Sequence, residues 1–125
     1  MTVKVNGKEV VWEDAPKGHY LTDVKMHVLW RDEKTGAQFL LMKAPVGGLW
    51  ENPHIHPDAN QWGLILSGEI ELADGTKMTM GEDNYFFGFN PKGKEHAYWK
   101  GAKMNKECIT LMYYDGPSTK VFTQK

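Results

Sequence analysis

The chain falls into short β-like runs separated by glycine, proline, asparagine and aspartate, and no long segment carries an apolar period of 3.6 residues. The runs are Val24–Trp30, Ala37–Lys43 after a turn at Lys34-Thr35-Gly36, Gln61–Leu66 before Ser67-Gly68, and Glu69–Leu72. The last of these is closed by Ala73-Asp74-Gly75, whose Asp-Gly pair is a hairpin signal. Lys77–Met80 ends at Gly81, the aromatic run Asn84–Phe89 ends at Asn90-Pro91, and His96–Trp99 and Cys108–Tyr114 follow. Asp115-Gly116-Pro117 turns the chain into a last run at Lys120–Thr123. Many short strands at regular spacing predict an all-β sandwich or closed barrel, and a jelly roll is one arrangement that protects the strand edges.

A chain of 125 residues fits one domain with one core. Its 15 basic and 16 acidic residues leave a net charge of −1, without the basic excess that phosphate neutralisation demands, so nucleic acid is not an expected partner. Lys92, Lys94, Lys100, Lys103 and Lys106 form a Lys-rich stretch, but Glu95 and Glu107 interrupt it, and it reads as solvated surface. The one cysteine, Cys108, lies in an apolar run and is expected to be a buried, inert thiol. Met1–Gly7 has no apolar region of a secretory signal, and no run approaches the roughly 18–20 apolar residues of a membrane span. A soluble cytoplasmic protein with no membrane partner is expected.

The chemistry concentrates in Pro53-His54-Ile55-His56-Pro57-Asp58-Ala59-Asn60-Gln61. Side chains at i and i+2 of a strand share a face, so His54 and His56 make a natural pair of metal ligands. Gln61 follows after a short connection and could turn its amide oxygen to the same point. His96, just past the turn Pro91-Lys92-Gly93-Lys94-Glu95, is the candidate third imidazole.

These residues resemble the two motifs of the cupin superfamily. Gly48, five residues, His54-x-His56, four residues, Gln61, six residues and Gly68 follow the first motif; Gly81 and then Pro91-x-Gly93-x-x-His96 follow the second. The likeness runs from about Gly36 to Asp115. It implies a cupin-type double-stranded β-helix (a jelly-roll barrel) over the single domain 1–125, with the barrel core at about 36–115. It also implies one divalent transition metal held by His54, His56, Gln61 and His96. The chain departs from the pattern in three places: Gln61 stands where glutamate is usual, Lys100 where asparagine is usual, and the spacing from Gly81 to Pro91 is longer. A neutral Gln61 leaves the metal one unit more positive, which favours an anionic substrate or a bound hydroxide.

Three imidazoles and an amide oxygen suit Fe, Mn, Ni, Cu or Zn better than Ca or Mg. Fe or Mn would accompany dioxygen chemistry, and Zn or Ni an isomerase or lyase step. The resemblance implies an enzyme acting on a small oxygenated or carboxylate-bearing molecule, with dioxygenase chemistry ahead of isomerase or lyase chemistry on a sugar acid. A non-catalytic cupin that binds or senses a metal or small molecule is the competing reading. Tyr98, two residues past His96, is the candidate catalytic acid/base or hydrogen-bond donor. Strand alternation would place Trp50, Asn52, Gly63 and Ile65 inward with the ligands, and the aromatics of Tyr85–Phe89 are read mainly as core. His19 and His27 are not expected to be ligands. Glu51 and Asp58 are expected to be exposed, with a supporting place beside an imidazole as the alternative. The resemblance also implies a homodimer, formed through sheet edges, with Thr2–Val11 a candidate to cross to the partner.

Overall fold

The computed structural model describes residues 2–47, 52–96 and 101–123. Among them are eleven strands and no helix: β1 (Lys4–Val5), β2 (Lys8–Glu9), β3 (Glu13–Asp14), β4 (Lys25–Arg31), β5 (Gln38–Ala44), β6 (His54–Ile55), β7 (Gln61–Glu71), β8 (Lys77–Met80), β9 (Phe86–Asn90), β10 (Lys103–Tyr114) and β11 (Val121–Phe122). The main sheet runs β3-β4-β5-β10-β7-β8, and β9 also pairs with β7. β1 and β2 form a hairpin, and β11 pairs with β6. The pairings are antiparallel, and the architecture is an all-β jelly roll.

The alternation along each strand decides what fills the barrel. β10 places Cys108, Thr110, Met112 and Tyr114 inside, and β5 opposes them with Ala44, Met42, Leu40 and Gln38. Across the other edge of β10, Thr110 meets Ile65 and Tyr114 meets Gln61. Val24, Ile70, Met80 and Met104 complete the interior. The outer face of the same sheet is half covered. Val3, Val5, Val10 and Trp12 pack on Leu41, Ile109, Leu66 and Leu111, while the other half stays open.

β7 corrects one expectation. The Ser67-Gly68 break reads in sequence as the end of a strand, yet β7 continues through it to Glu71. The strand changes partners there, from β9 up to Ile65 to β8 from Gly68 onward. Gly68 has a φ of 122°, and a Cβ on it would lie 2.8 Å from the Cys108 Cα and 2.8 Å from the Glu107 carbonyl oxygen. The glycine thus lets β7 bend against β10, where the pairing shifts register between Lys106 and Thr110.

The aromatic run also differs from expectation. Phe86 faces the core, but Tyr85, Phe87 and Phe89 are 51%, 61% and 46% exposed. Only one face of β9 points into the barrel, so Phe86 alone of these rings enters, beside Gly88 and Asn90 on the same face.

Candidate metal centre

His54 is carried by β6, and an antiparallel bridge ties it to His96: His54 N donates to the His96 oxygen at 3.0 Å and His96 N to the His54 oxygen at 2.8 Å. Residues opposed in this way project to the same side, which brings the second motif onto the first. The turn before His96 docks as well, because Gly93 N donates to the His56 oxygen at 2.9 Å. Gly93 makes this turn at a φ of 75°, where glycine is unstrained. Asn60 ties the three approaching segments together. Its backbone N and side-chain Nδ2 donate to the two Asp115 carboxylate oxygens at 2.7 and 2.8 Å, and its Oδ1 accepts from Lys92 N at 2.7 Å.

The three imidazoles converge. Their ring centroids are 4.9 Å apart for His54 and His56, 4.2 Å for His54 and His96, and 5.1 Å for His56 and His96. One candidate ligand nitrogen from each lies within 4.8 Å of the others. His54 Nδ1 lies 2.8 Å from the Asn52 carbonyl and His56 Nδ1 lies 3.1 Å from the Thr119 carbonyl. A carbonyl only accepts, so these contacts place the proton on Nδ1 and leave Nε2 as the unprotonated nitrogen.

Burial, the largest influence, pushes His54 down to about 3 and His56 down to about 4, against the opposing pull of their carbonyl partners. His96 is lowered too, chiefly by burial, with the positive charge of Lys120 acting in the same direction. All three rings are therefore neutral at ordinary pH, the form that binds a metal. His56 Nε2 is buried without a hydrogen-bond partner. An unsatisfied buried polar atom costs about 1–3 kcal/mol, and one that sits in a cluster of neutral imidazoles suits a cation. The residues fit a divalent transition metal.

Gln61 is buried at the start of β7, opposite Tyr114. Its Nε2 lies 3.6 Å from Met112 Sδ, and its Oε1 lies 3.5 Å from Asn90 Nδ2, both weak contacts. The Tyr114 ring packs on His56 at 5.2 Å, so Gln61 occupies the strand position next to the cluster. Ile65 faces inward as expected, whereas Asn52 is exposed and supports His54 through its carbonyl. Tyr98, Trp50, Glu51 and Lys100 lie outside the described residues. Asp58 is exposed. His27 sits on β4 with Nδ1 3.0 Å from the Val11 carbonyl, apart from the cluster. His19 lies in the β3–β4 connection. Cys108 is buried, and burial pushes its thiol up to about 11, as an inert thiol requires.

Several residues of the site carry no signal in the sequence. Thr119 and Lys120 arrive with β11, which pairs Phe122 with His54 and Val121 with Ile55. Lys120 Nζ donates to the His19 oxygen at 2.9 Å and lies 3.9 Å from the centre of the Tyr20 ring. Beside His56 a narrow cavity of about 30 Å³ opens. Tyr20, Gln38, Tyr114, Ser118 and Lys120 contribute to its walls.

The cupin domain family matches residues 40–112, more than half of the chain, and the chain belongs to that family. No curated protein sequence matches it. Among solved structures it is similar to an acetylacetone dioxygenase from Acinetobacter johnsonii, at a TM-score of 0.63 and 17% identity over 100% of this chain and 84% of that one. It is also similar to the polyketide cyclase RemF from Streptomyces resistomycificus, at a TM-score of 0.60 and 17% identity over 100% and 87% of the two chains. KdgF from a Halomonas species matches at a TM-score of 0.53 and 15% identity, over 84% and 87%. Likeness at these identities establishes the fold. No helix among the described residues is long and apolar enough to cross a membrane.

Proposed function

We propose that the chain is a metal-dependent cupin enzyme acting in the cytoplasm on a small oxygenated or carboxylate-bearing organic molecule, with His54, His56, His96 and Gln61 as the metal ligands. The observation that carries this reading is the unpartnered, buried His56 Nε2 in a cluster of neutral imidazoles beside a cavity. A bound divalent metal would act there as a Lewis acid on a ligand oxygen. The chain's own residues set the rest. Neutral His and Gln ligands leave the charge of the ion undiminished, so an anionic oxygen is drawn to it. The Asn52 and Thr119 carbonyls hold the imidazoles in one tautomer and one orientation. Tyr98 is proposed from its position in the sequence as the proton donor or acceptor.

Dioxygenase chemistry with Fe or Mn is the first reading, supported by the likeness to acetylacetone dioxygenase. Isomerase or lyase chemistry on a sugar acid with Zn or Ni is the second, and a non-catalytic binding cupin the third. Elemental analysis of protein purified without added metal is the test, with His54→Ala, His56→Ala and His96→Ala in parallel. About one metal per chain, lost in the variants, is the expected result. Iron or manganese then directs the assay to oxygen uptake on β-diketones and 2-oxo acids. An absence of metal after reloading would sink the metalloenzyme reading.

We propose further that the working unit is a homodimer joined through the open half of the outer sheet face. Trp30, Phe39, Tyr113, Trp62 and Phe89 form a chain of rings with successive centroids 6.2, 4.5, 5.5 and 5.1 Å apart. Trp30, Phe39, Phe87 and Phe89 are 49%, 40%, 61% and 46% exposed. At roughly 150–250 Å² per aromatic side chain, these four offer on the order of 400 Å². That is about half of what each partner of a stable interface buries, before Trp62, Tyr113, Leu64 and Leu111 are added. The groove beneath them has no charged side chain, so a second copy meets it without repulsion. Val3, Val5 and Val10 cover the other half of this face. Sedimentation velocity at tens of micromolar should give a dimer, and Phe87→Glu a monomer. A monomeric wild type would refute this assembly.

A further inference from the structure

The cavity beside His56 has an apolar lining formed by Met26, Leu40 and Met42 together with Ala15 and Pro16. Its polar lining is unusual in sign. None of the described residues lining it is acidic, whereas the ammonium of Lys120 is at the wall. The same charge registers at the four imidazoles around it, pulling His19, His54, His56 and His96 downward.

A second positive influence reaches the cavity through hydrogen bonds. Arg31 on β4 donates to Gln38 Oε1 through Nε at 3.2 Å and through an Nη at 3.0 Å. Gln38 is buried, and its Nε2 donates in turn to Ser118 Oγ at 3.1 Å. An amide whose oxygen is held by a guanidinium is a stronger donor at its nitrogen, and a hydroxyl that accepts from it is a stronger donor at its own O–H. The chain Arg31–Gln38–Ser118 therefore ends in a hydroxyl on the cavity wall polarised to donate.

We propose that this cavity is the anion subsite of the reaction centre, where Lys120 Nζ and the Ser118 hydroxyl hold the carboxylate or enolate oxygen of a small ligand whose short apolar chain lies along Met26, Leu40 and Met42. The substrate class is a small monocarboxylate or enolate with an aliphatic tail. As an account of substrate, this rests on the metalloenzyme reading given above. As an account of binding, it needs only the residues of the wall. The cavity itself is about 30 Å³ and widens only toward solvent, which keeps the ligand small.

The probe is a pair of isosteres, butyrate and butyramide, with binding to the full-length protein followed by calorimetry or ligand-observed NMR. Both are measured with the metal removed and with the metal restored. Wild-type protein should bind butyrate about tenfold or more tightly than butyramide, the effect of one charge-assisted hydrogen bond. Lys120→Met should abolish the preference, weakening butyrate far more than butyramide. Lys120→Arg should retain most of it, and Ser118→Ala should reduce it severalfold. Thermal unfolding of each variant reports whether it is folded, and Lys120→Arg keeps the test informative if Lys120→Met is not. Equal binding of the two isosteres by wild type, or a preference undiminished in folded Lys120→Met, overturns the subsite. If the protein takes no metal but the preference and its dependence on Lys120 persist, the subsite stands and the metalloenzyme reading falls. One metal per chain with no butyrate preference overturns the subsite and leaves the metalloenzyme reading in place.

Discussion

Lowering the pH from 7 to 5 should destabilise the metal-free protein through its clustered histidines. An unfolded histidine takes up its proton near pH 6.5, whereas folded His54 does so only near 3 and folded His56 near 4. Between these values the unfolded state binds more protons than the folded one, so stability present above pH 6.5 is lost as the pH falls. At pH 5 each imidazole contributes a loss of about 2 kcal/mol relative to pH 7. The two together cost about 4 kcal/mol, and His96, lowered as well, adds to that in the same direction. This is a large part of the roughly 5–15 kcal/mol that holds an ordinary domain together. The carboxylates Glu69, Glu71, Asp74 and Asp115 are all lowered, so their contribution is lost only as the pH falls through and below the ordinary carboxylate range, beneath the window. Urea unfolding of metal-free protein at pH 7, 6 and 5 measures the slope, with His54→Gln/His56→Gln as the control that should flatten it. The increment in stability that saturating metal adds should change little through His54 and His56 over the same range, because neither takes up a proton there in the folded state. A flat pH profile in the wild type would refute the neutral buried cluster.

Gly68→Ala should cost about 2–4 kcal/mol, from positive-φ strain and backbone overlap, because the new Cβ meets the Cα of Cys108 and the Glu107 carbonyl. Denaturant midpoints check this, and a loss below about 0.5 kcal/mol would mean that β7 does not need its bend. Asn60→Ala should weaken metal binding by roughly tenfold with a stability loss of about 1–2 kcal/mol, because it frees the His96 turn from the Asp115 corner. A competition titration with a chromophoric chelator reads the affinity, and an unchanged value would remove Asn60 from the support of the site.

The histidine cluster was legible in the sequence because its geometry is local. His54 and His56 stand two apart, and a period-two backbone is enough to put them on one side. Gly93 announces a turn whose consequence, the arrival of His96, is also short-range. The strand runs were legible for the same reason, and the boundaries that moved did so where a distant neighbour decides. Ser67-Gly68 looks like a stop, and only the passage of β10 beside it shows that the glycine is there to let the strand continue. The aromatic run at Tyr85–Phe89 looks like core by composition. Which of its rings go inside depends on the register of β9 against β7, and that pairing admits Phe86 and turns Phe87 and Phe89 outward.

What the sequence left out is the far side of the site. The partner of His56 Nδ1 is a carbonyl 63 residues away, and the partner of Gln38 Nε2 is a hydroxyl 80 residues away. Neither separation leaves a pattern, because a carbonyl is supplied by any residue and a serine in a loop is ordinary. Yet these contacts bear on the chemistry in the same direction as the feature that was legible, the neutral Gln61. Each one removes negative charge from the neighbourhood or brings positive charge toward it: a neutral amide at the fourth ligand position, neutral imidazoles, a lysine on β11's approach, and an arginine acting through Gln38 and Ser118. A carboxylate ligand would have offset part of the charge of the ion within the protein. On the metalloenzyme proposal, an anion supplied by the ligand would make up the absent offset, and the cavity beside His56 is the space next to the cluster.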